Sequence, residues 1–372
     1  MSEKLSLIIP CYNEEKTLRS IVEQVLCLRE QGVDLELVIV DDCSKDGSLD
    51  LAKTLSREYS GIKVLHHEVN RGKGAALRTG FLEASGDYVG IQDADMEYEP
   101  SDYLTLLKVI REEQADVVYG SRYLRRETGG RILYFWHSAM NRFLTLCSNL
   151  FTDLNLTDME TCYKLFRRDV IQKIAPHLQE NRFGFEPEIT ALAAQERCKF
   201  CECAIHYYPR SYEEGKKITW KDGVRALICI VKYADAPLPT RLLFFALCGI
   251  FCLLVNTLLF PILCSSSVPL QSAIWISYGA GALADWILSL IFVYRDRHTE
   301  GWKKQKVTII YLLVLAGLGV ADHFITQGLL SCLRGTSWVL PKLVSSLVVL
   351  FCKHPLKSLF TGTFLPGNTA KK

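Results

Sequence analysis

Apolar positions along this chain follow two regimes. Up to about residue 236, short apolar runs alternate with amphipathic stretches. Beyond it the apolar runs lengthen to roughly membrane-spanning size. In the first regime Leu5–Pro10 (LSLIIP) is a short apolar run closed by a proline, the pattern of a buried parallel strand. Glu15–Arg29 then places Leu18, Ile21, Val22, Val25 and Leu26 at helical spacing. Leu35–Val40 (LELVIV) predicts a second strand and Ser44–Tyr59 a second helix. Ile62–Leu65, Gly72–Ala84 and Asp87–Gln92 predict a strand, a helix and a fourth strand. Such β-α-β-α order implies a mostly parallel, Rossmann-like sheet covered by helices on both faces. Ligands of such sheets bind beyond the carboxyl ends of the strands. Three of those ends carry polar residues: CYNEE, DDCSKDG and QDAD.

The third end is the most heavily charged. The stretch QDADMEYEP sets Asp93, Asp95 and Glu97 at every second position. In an extended chain such side chains share one face, ~6.6 Å apart, so Asp93 and Asp95 are expected to converge on one divalent ion. Carboxylate oxygens suit Mg²⁺ or Mn²⁺, which retain substrate phosphates as further ligands. Solvated loop acids are the competing reading. A nucleotide diphosphate is the natural partner, because the cation bridges its charge to an acidic rim. Asp41-Asp42 suits hydrogen bonding to a nucleoside. Asn70-Arg71-Gly72-Lys73-Gly74 puts Lys73 at a helix start, where anions are favoured. That stretch fits neither a P-loop nor a G-x-G-x-x-G fingerprint.

Charge and hydropathy then divide the chain. Met1–Ala236 holds 31 Lys+Arg against 37 Asp+Glu, a net of −6; Pro237–Lys372 holds 12 against 4, a net of +8. The second part offers four candidate spans: Leu242–Cys264, Ile274–Tyr294, Val307–Leu330, and Val339–Phe351 with its continuation toward Phe360. Lys353, His354 and Pro355 interrupt the fourth. The loop Ser265–Gln271 is uncharged, whereas Arg295–Lys306 carries Arg295, Arg297, Lys303, Lys304 and Lys306. Basic loops stay in the cytoplasm, so an integral membrane protein with a cytoplasmic N-terminal half is expected. No secretory signal is read in MSEKLSLIIPCYNEE. The 14 cysteines are scattered, and the Cys198, Cys201, Cys203 grouping lacks a second ligand pair. The lipid bilayer is therefore an expected partner and nucleic acid is not.

Between the halves, Trp220, Val224, Leu227, Ile228 and Val231 fall on one helical face, with Lys221, Arg225 and Lys232 beside it. This reads as a basic amphipathic helix lying in a membrane interface. Arg210, Lys216 and Lys217 precede it as a cationic loop able to close over an anionic lipid head. The expected domains are a cytoplasmic 1–215, an interface helix 216–236 and a membrane domain 237–372.

Taken in order, IIPCYNEE, VIVDDCSKDGS, NRGKGAAL, DYVGIQDAD and VVYGSRY resemble a family 2 glycosyltransferase of the polyprenyl-phosphate branch, typified by dolichyl-phosphate mannose synthase. The last helices, with LSLIFVYRDR, resemble a GtrA-like membrane domain. The resemblance implies a GT-A catalytic domain followed by an all-α domain of about four transmembrane helices. It assigns Pro10, Tyr12, Glu14 and Asp42 to the nucleoside, and Asp93 and Asp95 to metal and diphosphate. Relatives often carry Gln where this chain has Glu97; a carboxylate there would strengthen cation binding. Arg122 in GSR and Arg131 in GGR match positions that hold the acceptor phosphate. Where relatives often read D-x-x-S-G-[FY]-[RK], this chain has Asp158-Met159-Glu160-Thr161-Cys162-Tyr163-Lys164, which points to Lys164 as a phosphate contact.

The activity so implied is inverting, metal-dependent transfer of a hexose, mannose or next glucose, from GDP-mannose or UDP-glucose to a polyprenyl or dolichyl phosphate. Asp95, Arg122 and Arg131 would carry it, with Arg210 and Lys216 also on the acceptor phosphate. Two rival readings stand beside this one. A polysaccharide synthase would carry Q-x-x-R-W, which Gln195-Glu196-Arg197-Cys198 does not match. A translocation component for lipid-linked sugars is suggested by Asn256, Asp285, Asp322 and His323 inside the spans.

Overall fold

The computed structural model describes residues 3–124, 134–208, 220–233, 235–292, 301–332 and 338–361. The chain divides into two compact units, Met1–Ala234 and Asp235–Lys372.

In the first unit β1 (Lys4–Cys11), α1 (Leu18–Glu30), β2 (Asp34–Asp41), α2 (Ser48–Glu58), β3 (Ile62–His66), α3 (Lys73–Glu83) and β4 (Tyr88–Ile91) realise the expected alternation. They are followed by α4 (Asp102–Glu112), β5 (Val117–Ser121), α5 (Phe135–Thr152), β6 (Lys164–Arg167) and α6 (Arg168–Ile174). The unit closes with α7 (Phe185–Gln195), β7 (Phe200–Ala204) and α8 (Trp220–Tyr233). The seven-stranded sheet has the order β3-β2-β1-β4-β6-β5-β7. Only β6 runs antiparallel to its neighbours among these strands. Strands β1 and β2 lie in the middle of the parallel part, in register Leu5↔Leu35 through Cys11↔Asp41. Leu7, Ile8, Ile9, Leu37, Val38, Ile39 and Val40 are all fully buried. Helices cover both faces, so apolar side chains are required at odd and even positions alike. Each such burial contributes about 1.5–3 kcal/mol.

The register brings three polar strand ends side by side. Asp42 N donates to Cys11 O at 2.8 Å, and Gln92 N donates to Ile8 O at 2.9 Å. The β2, β1 and β4 ends therefore form one rim. Helix α1 starts later than the apolar spacing suggests, because Glu14 O accepts from Thr17 N and Leu18 N and closes a turn first. Leu28, and not Leu26, completes its buried stripe.

The basic helix differs most from expectation. Ala226, Cys229, Ile230 and Tyr233 of α8 are buried within the first unit, where α8 packs on α5 and α7. Val224 and Ile228 remain exposed. Arg225 and Lys232 both pair with Glu180, at 2.9 and 2.8 Å. Both tie α8 to the first unit while their side chains stay nearly half exposed.

The second unit is four helices: α9 (Leu238–Ser265), α10 (Leu270–Phe292), α11 (Gly301–Cys332) and α12 (Val339–Thr361). Helix α12 continues unbroken past Lys353-His354-Pro355, where an interruption is expected from the sequence. Tyr278, Ala282, Leu315, Leu318 and Val349 form one core cluster; Phe260, Ala273 and Ile274 form another. Leu247, Phe251, Leu254, Leu258 and Ile262 point outward from α9. Among the described residues Pro239–Ser265 and Leu312–Cys332 are long and apolar enough to cross a membrane, with mean hydropathies of 2.5 and 1.5.

Candidate active site

Beyond the polar rim lies a cavity of about 1010 Å³ contained in the first unit. Pro10, Tyr12, Glu14 and Asp42 line it from the β1 and β2 ends, and Lys73 from the start of α3. Asp93, Asp95 and Glu97 line it from the segment after β4, and Arg122 from the end of β5. Nine of the sequence-predicted residues thus share one space.

The loop that delivers Lys73 is held by Asp42. Its carboxylate accepts from Arg71 N at 2.9 Å and from Gly72 N at 2.6 Å, while His67 Nδ1 lies 2.7 Å away. Gly72 has φ +100°, and a Cβ there would stand 2.3 Å from Asn181 O. Only glycine fits this position. Asp42 therefore orders the Asn70–Gly74 turn as well as bordering the cavity. Lys73 Nζ lies 2.9 Å from Asp93 Oδ1 and 3.5 Å from Glu186 Oε1. Burial opposes its charge, but Asp93 and Glu186 outweigh that and hold the amine protonated.

The strand-end acids are not presented as an extended row. Strand β4 stops at Ile91, and residues 94–96 form a turn with Met96 at φ 61°. Glu97 N donates to Asp95 Oδ1 at 3.2 Å, and Tyr207 Oη donates to Glu97 Oε2 at 2.9 Å. Among the described residues no three His, Cys, Asp or Glu side chains gather as a metal cage. Asp93, Asp95 and Glu97 nevertheless all line the one cavity. Two acids facing a shared cavity still fit a hard cation whose other ligands are substrate oxygens.

Arg122 is clamped by Asp158: Nε to Oδ2 at 2.7 Å, Nη2 to Oδ1 at 2.8 Å, and its own N–H to Oδ2 at 3.0 Å. Its guanidinium carbon also stands 5.2 Å from the Tyr207 ring centroid. Burial alone would lower its pKa; Asp158 more than offsets this and keeps it cationic.

Lys164 is a clear correction. Its side chain is fully buried, its amine donates to Met159 O and Thr161 O, and it is absent from the cavity wall. Burial pulls its pKa down. Lys164 supports the Met159–Thr161 bend and cannot reach a bound phosphate from there. Arg131, Arg210 and Lys216 lie outside the described residues.

Several wall residues were not anticipated. Glu186 opens α7, where an acid reads as ordinary helix N-terminal chemistry. Glu160 lines the cavity with Oε1 withdrawn from solvent and without a hydrogen-bond partner. Trp136, Met140, Phe143 and Leu144 of α5, with Val224, Ala226 and Leu227 of α8, give the cavity an apolar wall.

The fold and rim can be set against known proteins. Residues 6–175 match the family model for glycosyl transferase family 2, and residues 244–361 match that for the GtrA/DPMS transmembrane domain. A dolichyl-phosphate beta-glucosyltransferase of Drosophila melanogaster is 31% identical over 232 residues, covering 59% of this chain and 70% of the relative. An undecaprenyl-phosphate mannosyltransferase of Micrococcus luteus is 31% identical over 216 residues, covering 56% and 85% respectively. The chain belongs to the polyprenyl-phosphate branch of the family 2 glycosyltransferases.

This glycosyltransferase has a mostly parallel GT-A catalytic unit followed by a helical GtrA/DPMS-type transmembrane domain. Among solved structures, glucosyl-3-phosphoglycerate synthase from Mycobacterium tuberculosis is similar at 17% identity and a TM-score of 0.47. The match covers 63% of this chain and 81% of that one.

Proposed function

We propose that the enzyme transfers a hexose, glucose or mannose, from a nucleotide sugar to a polyprenyl monophosphate with inversion at the anomeric carbon. One observation carries this reading: a single cavity joins an acidic and cationic floor to an apolar wall from α5 and α8. A lipid phosphate has this same division of character, with the isoprenoid next to the phosphate suited to Trp136, Met140, Phe143, Val224 and Leu227.

Pro10, Tyr12 and Glu14 border the nucleoside, and Lys73 offers its charge to the diphosphate. Asp93 and Asp95 would hold Mg²⁺ or Mn²⁺, which when bound neutralises the diphosphate as it leaves. Arg122, fixed by Asp158, presents a charged group to the incoming lipid phosphate. A phosphate monoester has its second pKa near ~6 and is already ionised at neutral pH. The protein therefore needs to position and neutralise more than to remove a proton. A single in-line displacement turns an α-linked nucleotide sugar into a β-linked lipid phosphate. The basic loop around Arg295–Lys306 supports a cytoplasmic catalytic unit.

The test is incubation of membranes holding the full chain with radiolabelled UDP-glucose or GDP-mannose and dolichyl or undecaprenyl phosphate. Label in a solvent-extractable, acid-labile lipid supports the reading, and chelation of divalent cations should abolish it. Label only in polymer, or a lipid product of retained configuration, refutes it.

A further inference from the structure

Glu160 lies in the sequence between residues that serve the two halves of the proposed reaction, and it lines the same cavity. Two residues before it, Asp158 clamps Arg122, the group offered to the attacking phosphate. Two residues after it, Cys162 Sγ lies 3.7 Å from Ile91 O, at the strand end that leads into Asp93. The short segment is pinned at both ends, and its middle faces the cavity. The hexose joins the leaving diphosphate to the attacking phosphate, and in this reading it occupies the cavity that Glu160 lines.

Glu160 is also chemically incomplete. Oε1 is shielded from solvent and makes no hydrogen bond. A buried polar atom left in that state is costly and calls for a partner. The Lys164 amine, four residues on, donates to two backbone carbonyls and not to Glu160 Oε1. Hexose hydroxyls both donate and accept, which suits a carboxyl group in either protonation state.

We propose that Glu160 hydrogen-bonds a hydroxyl of the donor hexose and so positions the sugar between diphosphate and acceptor. This assignment rests on the sugar-transfer reading above. Its electrostatic surroundings are consistent with it. Burial first, then the negative charge of Glu186, push the Glu160 carboxyl up to about 8, against the opposing pull of Lys164 and Arg122; Asp158 adds to the rise. This rise favours the protonated carboxyl, which both donates and accepts. Once ionised it would confront Glu186 and the donor diphosphate.

The test is calorimetry on the full chain in detergent, comparing a nucleotide sugar with its matching nucleoside diphosphate. UDP-glucose and GDP-mannose are the probes. Glu160→Ala should weaken nucleotide-sugar binding about tenfold, the scale of one hydrogen bond, with diphosphate binding changed less than about twofold. Glu160→Gln, which keeps a neutral donor and acceptor, should stay near wild type. A deoxy-sugar nucleotide lacking the contacted hydroxyl should bind wild type and Glu160→Ala alike. Equal weakening of sugar and diphosphate binding, or a penalty unchanged across all deoxy analogues, overturns the assignment. Transfer to lipid phosphate is assayed in parallel. Sugar-selective loss without any lipid product sinks the proposed reaction alone; lipid product with no sugar-selective loss sinks the Glu160 role alone.

Discussion

Lys73 Nζ lies 2.9 Å from Asp93 Oδ1, so the first of the strand-end acids is already matched by an amine from the loop that opens α3. The amine also stands 3.5 Å from Glu186. One positive charge thus stands against two carboxylates before any ligand arrives. Lys73→Met should leave both acids facing the donor diphosphate uncompensated. Nucleotide affinity is expected to fall at least tenfold, the scale of one charge-assisted hydrogen bond at ~1.5–3 kcal/mol. Calorimetry with UDP or GDP checks this; unchanged affinity would mean that Lys73 serves the acids only.

Asp95→Asn separates charge from shape. The amide retains Oδ1, so the hydrogen bond from Glu97 N can persist and the turn should keep its form. What is lost is the negative charge offered to a cation. Turnover should drop about 10²–10³-fold, as when one preorganised electrostatic group is removed. The variant should insert and unfold like the wild type. Wild-type turnover at saturating Mg²⁺ or Mn²⁺ would remove Asp95 from the metal site.

Arg122→Ala does more than delete an acceptor contact. Asp158 is fully buried and takes three hydrogen bonds from Arg122. Truncation removes the two side-chain donors and the counter-charge and leaves only the main-chain N–H on that carboxylate, at a cost of about 3 kcal/mol. The double variant Arg122→Ala, Asp158→Ala should recover much of the stability and none of the activity. Thermal unfolding of both variants measures the difference. Arg122→Lys keeps the charge but not the two-pronged fit, so intermediate stability is expected.

The parallel sheet was legible because β1 and β2 are buried on both faces and must be apolar throughout. The rim was legible because polar residues abruptly follow those strands. The path after β4 was not, since alternating acids read as an extended chain; Met96 in the left-handed region turns it. Lys164 was misplaced because a lysine in a phosphate-type motif reads as a contact, and only packing shows its amine spent on carbonyls. Helix α5 buries Asn141, Thr145 and Ser148 beside Leu144 and Phe151, and leaves Trp136, Met140 and Phe143 exposed at the cavity and Leu146 exposed to solvent. Periodicity reveals such a stripe but does not say which side is buried.

Glu180 joins α8 to the catalytic unit through Arg225, Lys232 and the Tyr233 hydroxyl, the last at 2.7 Å. Burial would raise its pKa, but the hydrogen bonds from Lys232, Tyr233 and Arg225 prevail and hold it down at about 2. A carboxyl lowered on folding contributes its full stability above its unfolded pKa of about 4.3. That contribution drains away as pH falls toward about 2. Glu180→Gln should cost about 2 kcal/mol at neutral pH, or roughly 4–8 °C in Tm for a unit of this size. Its stability should also vary less than that of the wild type between about pH 4 and pH 2. Identical acid profiles for the two proteins would refute the anchor.

Lys342 and Asp322 form a fully buried ion pair between α12 and α11, and Ser345 Oγ donates to the same carboxylate. Asn256 Nδ2 donates to Ser346 Oγ at 2.9 Å and ties α9 to the same stretch of α12. A buried pair need not beat apolar packing in energy, but removing one partner strands the other. Lys342→Met should therefore destabilise the helical unit by about 3–5 kcal/mol, and Lys342→Met with Asp322→Leu should restore most of it. Thermal melting in detergent separates the two. If the double variant is stable and still makes lipid-linked sugar, the pair is a fastening between helices and does not belong to the transfer reaction. If it is stable but the lipid product is lost, the charges are needed for the reaction itself. A single variant as stable as the wild type would mean that the pair does not hold α11 to α12.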